Sequence, residues 1–254
     1  NPFLLKSLSP AQINNLMFDT LMTRSLDEPS SSYPLIAKAY QLSKDNLSVK
    51  YFINENARFS NGNEVTAQDV KHSYDLLVSR DAHPQYRIYW NDIKSVEIID
   101  KNTIKFIFKR INPELHMIIG DLPIFSRDWL NKDNFSKEVK KIPITSGPYI
   151  ISDYNIGKNI TYIRNKSYWA KDLSTRKHMF NFDQILIKYY KDMTVALEAF
   201  KAGEYDYIHE NHSKRWARDY NGPNFLNNKI IKTELKHSNN TGIQGFAFNT
   251  RRNL

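Results

Sequence analysis

ARFSNGNEVTAQDV, residues 57–70, joins a tight turn to the start of a helix and sets the local frame of the chain. Asn61-Gly62 supplies the positive-φ positions that a sharp reversal needs. Thr66 is placed to cap the backbone donors of the helix that follows. Asp69 falls at its third position, where negative charge suits the helix dipole. Val70, Tyr74, Leu77 and Val78 recur at helical spacing, which predicts a helix over 66–79 with one buried face. Upstream, Val49, Tyr51 and Ile53 alternate with Lys50 and Asn54, the pattern of a half-buried strand over 47–54.

Downstream, DAHPQYRIYW (81–90) reads as a loop with exposed aromatics. Strand patterns at 93–99 and 103–108 are separated only by Asp100-Lys101-Asn102, so a hairpin is expected. Residues 114–130 read as helical or irregular. In ITSGPYIISDYNIGKNITYI (144–163), a Gly-Pro lead is followed by a strand, a turn at Gly157 and a second strand. The polar connector RNKSYWAKDLSTRKHM (164–179) suggests a boundary. Beyond it, DQILIKYY (183–190), TVALEAFKAG (194–203) and YDYIHE (205–210) predict a β-α-β unit, which normally joins parallel strands by a right-handed crossover. An Asn-rich loop (211–242) then leads to a strand, GFAFN (245–249). Upstream of the opening stretch, a helix is expected over 10–23, followed by the turn-rich SLDEPSSSYP (25–34).

The 254 residues, 41% of them hydrophobic, suffice for one large domain or two modest ones. No apolar run approaches the ~20 residues of a membrane span, and no secretory signal pattern is seen at the start. The absence of cysteine excludes disulfides, thiolate nucleophiles and Cys-ligated metal sites. The net charge of +9 is concentrated in the second half, where residues 128–254 hold 21 bases against 13 acids. Those bases are interspersed with acids and aromatics and form no run or reader motif, so a solvated basic face is expected rather than a nucleic-acid site.

His209-Glu210-Asn211-His212 is one residue short of the zinc-protease spacing and lies at a strand end, so no metal is expected there. No Gly-x-Ser-x-Gly elbow, P-loop or dinucleotide fingerprint occurs. Nothing in these motifs favours an enzyme, and no catalytic residue or cofactor is expected.

Three stretches together resemble one family. YFINENARFSNGNEVTAQDVKHSYDLL (51–77) is similar to the signature strand–turn–helix of the extracytoplasmic solute-binding proteins of family 5, the peptide-binding components of ABC importers. ITSGPYIISDYNIGKNITYIRNKSYWA (144–170) resembles that family's Gly-Thr-Gly-Pro-Tyr segment, with Ser146 where Thr is common. FDQILIKYYKDMTVALEAFKAGEYDYI (182–208) resembles its β-α-β unit. LMTRSLDEP (21–29) and QGFAFNTRRNL (244–254) resemble the Yej branch, associated with oligopeptide and microcin C uptake.

The resemblance implies a mixed α/β (α+β) fold of the type II periplasmic-binding-protein kind. It further implies lobe one with an accessory subdomain over 1–178, a sheet-bearing part over 179–244, and a crossover strand over 245–254. A strand before Asn1 and a second lobe after Leu254 would lie outside the sequence. The implied function is capture of oligopeptides in the periplasm by a monomer that delivers them to membrane permease subunits. A nickel chelate, an opine or a haem-like solute is the alternative cargo, and a truncated lobe kept as an interaction module is another. A hydrolase on the same surface is the rival from a different class. Expected ligand-facing residues are Ser25, Leu26 and Asp27 after the first helix, and Tyr86, Tyr89 and Trp90 in the aromatic loop. Asn211 and Trp216 follow the β-α-β unit, and Gln244, Gly245 and Phe246 lie on the crossover strand.

Overall fold

A computed structural model describes residues 1–4, 10–28, 30–137, 141–236, 245, 246, 248, 249 and 251. A short helix, α1 (Ile13–Met17), leads into a two-stranded antiparallel ribbon of β1 (Met22–Arg24) and β2 (Ser32–Pro34). The helix predicted over 10–23 therefore stops at Met17. Tertiary hydrogen bonds outbid helix propensity over the next turn. The Met17 carbonyl accepts from Gly147 N–H at 2.9 Å, the Asp19 carbonyl from Ile124, and the Leu21 carbonyl from Leu35 and Ala37.

The opening stretch folds much as its residues dictate. β3 (Ala37–Leu42) pairs with β4 (Ser48–Ile53), in which Val49, Tyr51 and Ile53 are buried. Gly62 takes the left-handed conformation (φ 87°), while Asn61 does not; its side chain instead accepts from Asn63 N–H at 3.1 Å. In α2 (Ala67–Leu77) the capping box is formed. The Asp69 carboxylate accepts from Thr66 N–H at 2.9 Å and from the Thr66 hydroxyl at 2.6 Å. Arg127 adds an ion pair at 2.9 Å to this buried acid.

Residues 84–89 form a helix, α3 (Pro84–Tyr89), rather than a loop. β5 (Ile93–Asp100) and β6 (Thr103–Phe108) make the expected hairpin, and a four-stranded antiparallel sheet results in the order β3-β4-β6-β5. After α4 (Leu115–Gly120), β7 (Tyr149–Asn155), β8 (Asn159–Arg164) and β9 (Gln184–Lys188) form a second antiparallel sheet in that order. A core running from Phe3 to Tyr162 joins the two sheets and is built around the stacked rings of Phe3, Phe18, Phe125 and Trp129. The N-terminal segment is stitched to the second sheet at Ala11, whose N–H donates to the Tyr189 hydroxyl and whose carbonyl accepts from Tyr162.

The parallel β-α-β unit is not formed. β9 runs antiparallel to β8, α5 (Met193–Lys201) follows, and 205–210 is extended without a ladder partner among the described residues. Strand propensity at Tyr205, Tyr207 and Ile208 cannot act alone, because a strand exists only where a neighbour satisfies its backbone. Two short helices, α6 (Ser213–Arg218) and α7 (Pro223–Leu226), occupy the stretch read as a loop. The strand expected over 245–249 falls partly outside the described residues, and those described carry no ladder. The connector 164–179 packs rather than hangs: Tyr168 and Ala170 are buried with Leu35 in a small satellite core.

Candidate functional site

The expected ligand-facing residues fall into two described places. The first is a rim where the end of β1 meets the end of α3. Arg24 donates through Nε to both Asp121 oxygens at 3.1 Å and through Nη2 to the Tyr89 hydroxyl at 3.2 Å. The Tyr89 hydroxyl in turn donates to Asp121 at 2.9 Å. Burial and the Asp121 charge push the Tyr89 hydroxyl up to about 12, so it stays protonated and keeps donating. Above this cluster the Ser25 hydroxyl donates to Asp27 at 2.7 Å and accepts from Glu28 N–H at 3.1 Å, a local turn bond that shapes the loop. Leu26 is exposed beside it, as are Ile88 and Tyr89 on α3.

Tyr86 and Trp90 do not share this rim. Four residues apart on α3 and its C-cap, they stack at 5.9 Å with nearly parallel rings. Trp90 is 2% exposed and donates its indole N–H to the Ile118 carbonyl at 3.1 Å, so it is a core residue and not the exposed aromatic expected. Tyr86 is half-buried, with its hydroxyl accepting from Asn14. Tyr89 alone of the three presents a free edge. Arg24 and Asp121, which organise the rim, were not picked out from the sequence; Arg24 sits inside the LMTRSLDEP stretch that carried part of the resemblance.

The second place is a cleft of about 710 Å³ between two non-helical stretches, 206–212 and 230–235, lined also by Trp216, Tyr220 and Phe225. Asn211 and Trp216 both line it. Its corner is Glu210, whose side chain is almost wholly buried. It accepts from Arg215 Nε and Nη2 at 2.8 and 3.0 Å, from the Tyr220 hydroxyl at 3.2 Å and from His212 N–H at 2.6 Å. The Arg215 guanidinium holds the Glu210 carboxyl down at about 2. Glu210 is therefore committed to this corner rather than to a metal.

Trp216 lies under the Lys232 ammonium, 4.4 Å from the ring centre, and donates its indole N–H to Glu234 at 3.2 Å. The cleft thus offers the Trp216 ring, the Lys232 cation over it, the Glu234 carboxylate at its indole N–H, and the amides of Tyr207, Ile208 and His209, for which no partner is found among the described residues. Such a set binds by stacking and hydrogen bonding. No hydrogen bond or ring pair joins rim and cleft among the described residues. Gly245 and Phe246 are exposed, Phe246 at 98%, and Gln244 lies outside the described residues.

Comparison with known proteins places this architecture. The sequence model for bacterial extracellular solute-binding proteins, family 5 Middle, matches residues 32–254. The uncharacterized protein YejA of Escherichia coli K12 is 36% identical over 244 residues, covering 96% of this chain and 40% of its own length. A probable peptide-binding protein YejA of Agrobacterium fabrum is 30% identical over 262 residues, covering 99% of this chain and 42% of its own. The structure of AgaA from A. tumefaciens R10 in complex with agropinic acid superposes with a TM-score of 0.69 at 21% identity, over 84% of this chain and 41% of AgaA. The chain thus spans about two-fifths of the length of these proteins. AgaA shares the mixed α+β fold, and with a family match running over residues 32–254 this chain belongs to the bacterial extracellular solute-binding proteins of family 5.

Proposed function

We propose that this chain is most of lobe one of an oligopeptide-binding protein that works outside the cytoplasmic membrane, in the periplasm, and hands its cargo to the permease subunits of an ABC importer. The division expected from sequence goes with this reading: an accessory part over 1–178, a second part over 179–244 and a crossover at 245–254. The protein would act as a monomer. The observation that carries the reading is the cleft at 206–235, where backbone amides without a partner among the described residues flank an aromatic base. Peptides of any sequence share main-chain donors and acceptors, so an extended protein edge recognises them without reading side chains. The likeness to a probable peptide-binding protein over nearly the whole chain supports the same cargo class. The rim at Ser25, Leu26, Asp27 and Tyr89 would be a second contact region, and Gly245, Phe246 and Gln244 a third.

Calorimetry of the full-length protein against a mixed oligopeptide library tests this. Saturable heat is expected, and Trp216→Ala should weaken binding about tenfold through loss of the stacking face. Absence of heat with wild-type protein would overturn the reading. The second reading, a small polar solute such as an opine, is favoured by the fold shared with AgaA. A native mass spectrum of co-purified ligand separates the two, since a peptide ladder and a single small mass are unlike.

A further inference from the structure

Asp19 is a buried carboxylate that neither rim nor cleft uses. Its side chain is 3% exposed and its one charged neighbour among the described residues, Arg176, stands 3.8 Å away, longer than a hydrogen bond. The other groups facing it are neutral. The Tyr168 hydroxyl lies 2.8 and 3.0 Å from its two oxygens. Ser146, from the segment before β7, accepts from the Asp19 N–H at 3.0 Å and itself accepts Trp169 Nε1 through its carbonyl. Arg176 donates to Thr23 in β1 at 3.0 Å and to the Thr175 carbonyl, while its buried Nε finds no partner.

The same turn is strained. His178 and Phe180 both hold left-handed backbone (φ 66° and 58°), a conformation that a bulky side chain adopts only under constraint. The constraint is visible: Phe180 is wedged between Tyr149 and Tyr168, with the Arg176 guanidinium 5.7 Å above its ring. A poorly compensated buried charge and two strained residues thus meet where the connector is held onto the first strand.

We propose that Asp19, Tyr168 and Arg176 form a proton-dependent latch that clamps residues 165–181, most of the connector and the turn after it, onto β1, tight in acid and loosened towards neutral pH. Desolvation dominates at Asp19 and raises its carboxyl to about 6, with Arg176 offsetting only part. A released connector would let Asp19 return to an ordinary carboxylate value near 3.8. Between these two values the clamped state binds the proton that the released state does not, so lowering pH favours the clamp. Through Thr23 the latch also sets the loop at 25–27. That consequence rests on the reading of this loop as part of the ligand site; the latch itself does not.

Hydrogen–deuterium exchange of 165–181 in the ligand-free protein, corrected for intrinsic rates, tests it at pH 5 and 7.5. Exchange should be about tenfold slower at pH 5 in wild type. Asp19→Asn, permanently neutral, should be slow at both values. Wild-type exchange that ignores pH, or an Asp19→Asn protein that exchanges faster than wild type at pH 7.5, would overturn the latch. If that variant fails to fold, the wild-type pH profile decides alone. Because no ligand is present, failure here leaves the peptide reading standing, and failure of peptides to bind leaves the latch standing.

Discussion

Gly147 shows how much a single position can hold. A Cβ built there would lie 2.6 Å from the Met17 carbonyl carbon and 2.8 Å from the Leu16 oxygen, both backbone atoms that cannot swing away. Glycine is present because the Gly-Pro segment must approach the end of α1 closely enough to hydrogen-bond it. Gly147→Ala is expected to destabilise the fold by about 2 kcal/mol, since α1 must shift; urea unfolding checks it, and an unchanged midpoint would refute the close approach. The sequence showed the glycine but not its reason, because Met17 lies 130 residues away. Trp90 teaches the reverse lesson. Once 84–89 is recognised as a helix, the i,i+4 spacing of Tyr86 and Trp90 predicts their stacking, whereas spacing alone does not separate the exposed Tyr89 from its two ring neighbours. The proline at its first turn was the available signal, and reading the stretch as loop discarded it.

Elements whose partners are local were legible, and elements whose partners are distant were not. β4, the Asn61-Gly62 turn, α2 and the β5–β6 hairpin follow from residues within a few positions of each other. At α2 the account makes a specific claim: Asp69 satisfies the Thr66 N–H and hydroxyl and neutralises Arg127 at once. Asp69→Ala should therefore cost about 1–2 kcal/mol, because part-buried donors lose a shared acceptor along with the cap. Thermal unfolding measures this, and a loss below about 0.5 kcal/mol would show the network to be idle. By contrast, 205–210 has strand composition yet no ladder among the described residues, and 18–23, expected to continue the first helix, is drawn into tertiary bonds. Both failures have one cause: backbone groups go where partners are, and the partners are non-local.

At the scale of the whole molecule, family membership was legible because strand–turn–helix, Gly-Pro-Tyr and Tyr-Trp segments keep their order along the chain, and order survives where any one motif would be weak. The site was less legible. Asn211 and Trp216, expected from sequence to face ligand, line one cleft in the structure, and Ser25, Leu26, Asp27 and Tyr89 lie at one rim, whereas the Glu210–Arg215 corner that shapes the cleft was not anticipated. The proposed recognition of peptide main chain rather than side chains is addressed directly by one comparison. An oligopeptide that binds the full-length protein in calorimetry is remeasured after N-methylation of its central amides, with side chains unchanged. Affinity should fall at least about tenfold as main-chain hydrogen bonds are lost; undiminished binding by the N-methylated peptide would contradict the claim.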